Sequence, residues 1–461
     1  MSRIEKNIPS LRWGLIAMAG LMLNACTTFS SDHGFSQVET TVKPYLNQSL
    51  QLPEGTGQED ALAERVNAIL QNPLDADSAV QVALFNNKGL RASFYKLGMA
   101  EADLVQAGRL PNPRFSMLYA RNNGDYKIEQ AITLNIFSLL TMPKATEIER
   151  KRFEITQKEV ALDVLQLANE TRVAYYNAVA ANQSLEYMRQ VKEAAEASNE
   201  LAKRMTKAGN WSKLDQAREQ GFYADALLDT KRAFVSQKLA QEKLSRLLGL
   251  SDTQLKLKLS SRLPDIPDAL EPVSDLEQTA MKQRLDLQIT RLNVEALAKE
   301  LGLTKSTRFI NVLELGPARV LEGSRNDAYK KGIDISFELP IFDWSESRVV
   351  RAESRYKQAL NQAAQVALNA QSEVRLNYAS YQANYEIAKQ YRDEIVPIRK
   401  SISEEYQLRY NGMLVSVFDL LADSRMQISS VNNYIQSLRD FWVTQSELQM
   451  SLIGSSSGKD F

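Results

Sequence analysis

Proline is absent from Lys144 to Arg262, and between Ile341 and the C-terminus there is one, Pro397. Proline removes a backbone donor and clashes with the preceding turn, so stretches without it permit very long helices. In the first stretch Leu162, Leu165, Ala168, Tyr175, Val179, Leu185, Met188 and Val191 recur at spacings of three, four or their sums, which is helical periodicity. Gly209-Asn210 breaks the pattern. The expectation is a helix of about 65 residues followed by one of nearly 40, roughly 100 Å and 55 Å long at 1.5 Å per residue.

The second half repeats the first at an offset of about 200 residues, and a repeat of that size outranks any local motif. A helix is expected from Ser345 to Asn411-Gly412, and another from Ser416 to about Leu452. Ala79 to Ala107 and Leu276 to Thr304 are helical in pattern, and each leads into two strands. Arg114-Phe115 pairs with Arg308-Phe309 in this register, and Asn135-Ile136-Phe137 with Pro340-Ile341-Phe342. The fold class is mainly α with a small β portion and an internal two-fold repeat.

The clearest strand is Gly332 to Leu339, which puts Ile333, Ile335, Phe337 and Leu339 on one face. Its counterpart, Ile128 to Phe137, does the same with Ile128, Ile132, Leu134 and Ile136. The partner strands, Arg114 to Arg121 and Phe309 to Val320, are less regular, and polar turns lie between the members of each pair. Four strands cannot close a barrel, which takes about eight. Left open in lipid, their edges would expose unpaired N–H and C=O groups at several kcal/mol each. A membrane-spanning version must borrow strands from other copies of the chain.

The N-terminus carries Arg3, Lys6 and Arg12, then an apolar run from Trp13 to Leu23, then Leu23-Asn24-Ala25-Cys26. That is a secretory signal, too short to span a bilayer. Cys26 is either incidental to a plain signal or the lipidated first residue of a bacterial lipoprotein. The only Cys of the chain falls where a lipobox needs it, which favours the second reading, although Asn24 is an unusual residue in that motif. Stable anchoring takes two or more acyl chains. Beyond Cys26 no run of eighteen apolar residues remains, so only a closed β-barrel could cross a membrane.

Composition narrows the function classes. The 56 Lys+Arg balance 56 Asp+Glu, which gives no electrostatic case for nucleic acid. One Cys excludes an internal disulfide or thiolate cluster, and one His (His33) argues against His metal sites and Ser-His-Asp chemistry. No catalytic, metal-ligating or cofactor-binding set emerges, and the chain is not read as an enzyme. Methionines are dispersed, and the Gly454 to Lys459 run is one residue short of a phosphate loop.

Several segments together resemble the TolC-type outer membrane efflux protein family. They are Leu74 to Asn87, Leu110-Pro111-Asn112-Pro113, Leu247-Leu248-Gly249, Arg284-Leu285-Asp286-Leu287 and Leu339-Pro340-Ile341-Phe342-Asp343. Leu285 stands where the family usually has proline. The resemblance implies a homotrimer with long antiparallel helices in an α-barrel and four strands per protomer in a twelve-stranded β-barrel. It implies a passive outer-membrane channel of a tripartite system, working with a periplasmic adaptor and an inner-membrane pump. The domain reading is a signal peptide (1–25), a lipidated extended segment (26–73), a first repeat (74–250; strands about 113–137, tip near 209), a linker (251–275), a second repeat (276–453; strands about 308–341, tip near 412) and a flexible tail (454–461).

On that resemblance Lys207, Gly209, Asn210, Gly412, Met413 and Leu414 are adaptor-contact tips. Aligning Ser416-Val417-Phe418-Asp419-Leu420-Leu421 puts Met413 where glycine is usual and Gly412 one step early. Asp419 matches an acidic position near the family's pore constriction, and Asp423 lies one helical turn on. The bland readings are a helix C-cap for the glycines and a solvated surface for the aspartates. Tyr406 and Tyr410 read as interhelical packing, and Pro397 as a kink. Ile128, Ile132, Leu134, Ile136, Ile333, Ile335, Phe337 and Leu339 are the lipid-facing candidates. A periplasmic coiled-coil adaptor lipoprotein is the alternative, although such a protein is expected to carry one hairpin rather than two. A hydrolase lacks a nucleophile–base pair, and the exported cargo is left open.

Overall fold

A computed structural model describes residues 28–46, 48–51, 56–250, 257–270, 275–309 and 312–455. The signal peptide, Cys26, much of the linker and the end of the tail lie outside them. In order the elements are α1 (Phe35–Val42), α2 (Thr56–Leu70), α3 (Ala76–Asn86), α4 (Lys88–Ala107), β1 (Arg114–Asn122), β2 (Asp125–Asn135), α5 (Ile136–Lys207) and α6 (Lys213–Leu247). There follow α7 (Leu276–Gln283), α8 (Leu285–Ser306), β3 (Leu313–Gly323), β4 (Lys330–Phe337), α9 (Glu346–Gln390), a π-turn (Tyr391–Ile395), α10 (Val396–Asn411) and α11 (Val417–Ser451). The second half thus repeats the element order of the first. The segment expected to be extended holds α1 and α2 instead.

The chain divides into two units. One gathers the chain up to Val38, Phe94–Val160 and Leu287–Val366, and it contains the sheet. Its four strands are antiparallel in the order β1-β2-β3-β4. The β1–β2 hairpin turns on Asn123 and Gly124, both at positive φ (48° and 100°), as a tight two-residue turn requires. The β2–β3 ladder skips Ile132 and Thr133, which lie opposite Pro317 and Gly316. Proline has no N–H to give. Glycine is needed beside it, because a Cβ at 316 would stand 1.8 Å from the Ile132 carbonyl oxygen. Next to the sheet, α5 and α8 are tied by Lys151–Glu295 (3.1 Å), Arg152–Glu300 (2.8 Å) and Lys299–Glu147. Ahead of α1, Glu101 of α4 accepts hydrogen bonds from the Ser30 N–H and hydroxyl and pairs with His33.

The other unit gathers Glu39–Ser93, Ala161–Asp286 and the chain from Ala367. The periodic residues of α5 form its core: Leu165, Ala168, Tyr175, Val179, Leu185 and Val191 are buried. On the other side Phe441 is buried against the stacked ring of Tyr381 and the tilted ring of Tyr385. A widened turn precedes Pro397. The Val396 N–H reaches back to the Tyr391 carbonyl, five residues rather than four, and Pro397 falls in the first turn of α10. Tyr410, expected to pack between helices, is exposed.

Each of the helices expected at 79–107 and 276–304 is broken, at Asn87 and at Arg284. The breaks have one purpose in common. Asn87 donates from its amide to the carbonyl of Leu247, the last residue of α6, and Asn86 reaches the Leu248 and Gly249 carbonyls. Arg284 donates to the carbonyl of Ser451, the last residue of α11. The final carbonyls of a helix have no intrahelical donor. In both repeats the interrupted helix supplies that donor.

Candidate functional site: the strand face and the hairpin tips

Register and the two-residue period of a strand sort every sheet side chain onto one of two faces. Phe115, Met117 and Tyr119 of β1 share a face with Ile128, Ile132 and Leu134 of β2, Leu313, Leu315, Pro317 and Leu321 of β3, and Ile333, Ile335 and Phe337 of β4. The opposite face carries Arg114, Ser116, Lys127, Glu129, Thr133, Glu314, Glu322, Lys330, Asp334 and Ser336. Its charges pair locally, as Arg114–Glu314 (3.2 Å), Lys127–Glu129 (2.9 Å) and Lys330–Glu322 (3.3 Å). Two expected strand positions fall outside. Ile136 opens α5, where the Asn135 carboxamide accepts from the Ser138 N–H, and Leu339 lies two residues past the end of β4. Phe309 likewise precedes β3, so the repeat register proposed for Arg308-Phe309 does not hold.

The two tips are built alike. At the first, the Gly209 N–H reaches Thr206 and the Asn210 N–H reaches Met205, with Gly209 at φ +79°. At the second, the Met413 N–H reaches Tyr410 and the Leu414 N–H reaches Arg409, with Met413 at φ +58°. Both close a helix in the Schellman manner, which puts a left-handed residue just past the end. Gly412, at φ −83°, is the ordinary cap before it. Methionine therefore occupies the backbone position that glycine serves in the first repeat. Met413 is 93% exposed and Leu414 78%. Lys207, Gly209, Asn210 and Gly412 are exposed as well.

A left-handed methionine costs about 1 kcal/mol relative to glycine. Met413→Gly is expected to stabilise the tip by about that amount, and slower amide exchange across Arg409–Val417 is the measurement that checks it. Unchanged or faster exchange would show that the position carries no strain.

After the second tip, Ser416 caps α11 by accepting from the Asp419 N–H, and the Asp419 carboxylate accepts in return from the Ser416 N–H and hydroxyl. The Ser416 hydroxyl and backbone N–H together hold the Asp419 carboxyl below its ordinary range. Asp419 is exposed; Asp423 is only 5% exposed, and among the described residues its Oδ2 has no hydrogen-bond partner. Near it in sequence, Arg425 pairs with buried Glu219 of α6 at 2.8 Å and lies over the Phe222 ring. Ser198 of α5 donates to the same Glu219. This ion pair was not anticipated, since Glu219 and Arg425 are ordinary charged residues of long helices until the helices are set side by side. Among the described residues no group of three His, Cys, Asp or Glu is placed to hold a metal ion, and no helix is long and apolar enough to cross a membrane.

The described residues combine long helices with a single four-stranded antiparallel sheet that has one mainly apolar and one mainly polar face. Residues 79–250 match the model of the outer membrane efflux protein family. The cobalt-zinc-cadmium resistance protein CzcC of Cupriavidus metallidurans is 24% identical over 284 residues, 61% of this chain. The match spans 66% of CzcC, just under two thirds of that relative's length. The fold is similar to the Campylobacter jejuni CmeC outer membrane channel (TM-score 0.71, 16% identity, 90% of this chain and 91% of that one). It is also similar to CusC, solved in a study of folding and transmembrane channel formation (TM-score 0.69, 17% identity, 82% of this chain and 92% of that one).

Proposed function

We propose that this chain is one protomer of a homotrimeric, passive outer-membrane duct that exports small solutes from the periplasm. The observation that carries this is the sheet: one face mainly apolar, the other mainly polar, and both edges, β1 and β4, open to a neighbour. Pairing β4 of one copy with β1 of the next is a head-to-tail contact that closes into a ring. Three copies satisfy every edge, put the apolar face to lipid and line the interior with Lys127, Glu129, Glu322 and Asp334. The adaptor alternative is not favoured, because a scaffold protein has no use for an apolar face of this extent.

Two tips per protomer, with the apolar Met413-Leu414 pair exposed on one, are the surface a periplasmic adaptor would grip, and an inner-membrane pump would supply the energy. The backbone strain at Met413 supports this, since strain persists where a side chain is wanted for contact. Asp419 carboxylates from three copies would favour cations, as rings of carboxylates do. The CzcC relative makes divalent metal cations the cargo class to test first. Cys26 would carry the lipid anchor.

Purified protein in planar bilayers is expected to open cation-preferring pores, and protein that binds bilayers but never conducts would refute the duct. Cys26→Ser is expected to abolish metabolic labelling by radioactive palmitate while pores still form; labelling that persists would defeat the anchor assignment.

A further inference from the structure

Acidic residues of the sheet all lie on the polar face: Asp125, Glu129, Glu314, Glu322 and Asp334. Cations do not obey the same division. Arg319 and Lys331 stand on the apolar face as direct register partners of β3 and β4, and both are exposed. Like charges directly opposite on neighbouring strands repel. Each cation of the polar face named above has a carboxylate beside it, whereas among the described residues neither Arg319 nor Lys331 has an ion pair. Arg319 spends its Nε on the Gln130 carboxamide oxygen at 2.6 Å and rests over the Tyr329 ring at 5.0 Å. Neither contact neutralises it. The terminal nitrogens of its guanidinium are left in the fork geometry that matches two oxygens of a phosphate.

The row's height on the sheet says what could supply that anion. Toward the helices the next row is wholly apolar (Phe115, Ile132, Pro317, Ile333), and apolar residues continue to Phe337. Lys331 is six residues above Phe337, about 20 Å along a strand and about 15 Å along the membrane normal at the usual tilt. Past that end of β4, Leu339, Ile341, Phe342 and Trp344 are exposed as well. Toward the hairpin turns the face changes to tyrosines, with Tyr119 and Tyr126 6.3 Å apart and Arg121 over Tyr126. Tyrosine belts mark the level where hydrocarbon gives way to headgroups. The unpaired cations lie just inside that level, and long basic side chains reach outward to it.

We propose that Arg319 and Lys331 form a binding site for the phosphate of an anionic lipid headgroup in the leaflet on the hairpin side of the barrel. The inference rests on the duct reading above, which puts this face in lipid. A phosphate there cancels the repulsion between the two cations, and one site per protomer ties the lipid shell to the wall of the barrel. Basic clusters at this depth recognise anionic headgroups by the same electrostatics in other membrane proteins.

Native mass spectrometry of the full-length protein in detergent tests this, with bis-phosphorylated lipid A, phosphatidylethanolamine and inorganic phosphate as probes. Lipid A is expected to bind, with phosphatidylethanolamine weaker and millimolar phosphate unable to displace it. The Arg319→Gln, Lys331→Gln double variant should lose at least tenfold in lipid A affinity. The charge-conserving Arg319→Lys, Lys331→Arg double variant should keep it, as should Arg114→Gln on the polar face. Equal lipid A binding by the charge-removing variant and the parent protein overturns the site. Displacement by free phosphate overturns the lipid assignment. Bilayer recordings separate the two proposals: pores with unaltered lipid binding in the variant sink this one alone, whereas absence of pores in the parent sinks the duct.

Discussion

Ile333→Lys is expected to prevent trimer formation in membranes. Ile333 is 73% exposed in the single chain and occupies the middle of the apolar face, in one row with Phe115, Ile132 and Pro317. A lysine costs roughly 2–4 kcal/mol at the midplane of a β-barrel and about 0–1 near its interfaces, so one row inward from Lys331 it costs roughly 1–3 kcal/mol per copy, and three copies lose roughly 3–9 kcal/mol. The control is on the same strand. Ser336 faces the other way, is exposed, and pairs in register with Glu314, so Ser336→Lys should be accepted. Trimer recovered from membranes, and the temperature at which it dissociates in detergent, are the measurements. Equal recovery of both variants would mean that the apolar face does not meet lipid. The sheet would then need a different cover, and the duct reading would lose its main support.

How much of this was legible in the sequence depended on whether the signal was local. The strand alternation of Ile333, Ile335 and Phe337 was legible because a two-residue period needs no knowledge of neighbours. The ends of the strands were not. Ile136 continues the alternation in sequence, yet it opens α5, because the Asn135 side chain caps that helix and stops the strand. The unusual tip was visible as a misplaced glycine at 412, and geometry shows why: the left-handed position is 413, one residue on. The helix breaks were harder. Asn87 and Arg284 interrupt patterns that read as continuous, and each does so to reach the end of a helix about 160 residues later in the chain. No window of local sequence contains both partners. The same holds for Glu219 and Arg425, which α6 and α11 bring together. The family resemblance marks Arg284-Leu285-Asp286-Leu287 as characteristic but gives no reason for it; the burial of Arg284 does.

Arg284 is 2% exposed and holds three partners at once: Asp286 at 2.6 Å, Glu373 at 2.9 Å and the Ser451 carbonyl at 2.7 Å. Burial works against its charge, yet the hydrogen bonds and charges of Asp286 and Glu373 outweigh burial and raise its pKa above the ordinary guanidinium value. Removing the cation with Arg284→Met would leave two carboxylates facing each other and a helix-end carbonyl without a donor. Breaking a buried ion pair from one side costs about 3–5 kcal/mol. The equivalent loss in the first repeat, Asn87→Ala, removes only neutral hydrogen bonds, each worth roughly 1 kcal/mol. The second repeat should therefore be the more fragile at its helix break, and thermal denaturation of the two variants compares them. Acid should distinguish the cause. In Arg284→Met the orphaned carboxylates take up protons more readily in the folded than in the unfolded chain, so the folded state binds more protons and stability rises as pH falls. A merely structural loss of arginine packing would show no such recovery. Adding Asp286→Asn and Glu373→Gln to Arg284→Met should restore most of the stability at neutral pH, because a buried network made wholly neutral no longer holds an uncompensated charge. If that triple variant is as unstable as Arg284→Met, packing and not charge holds the break together.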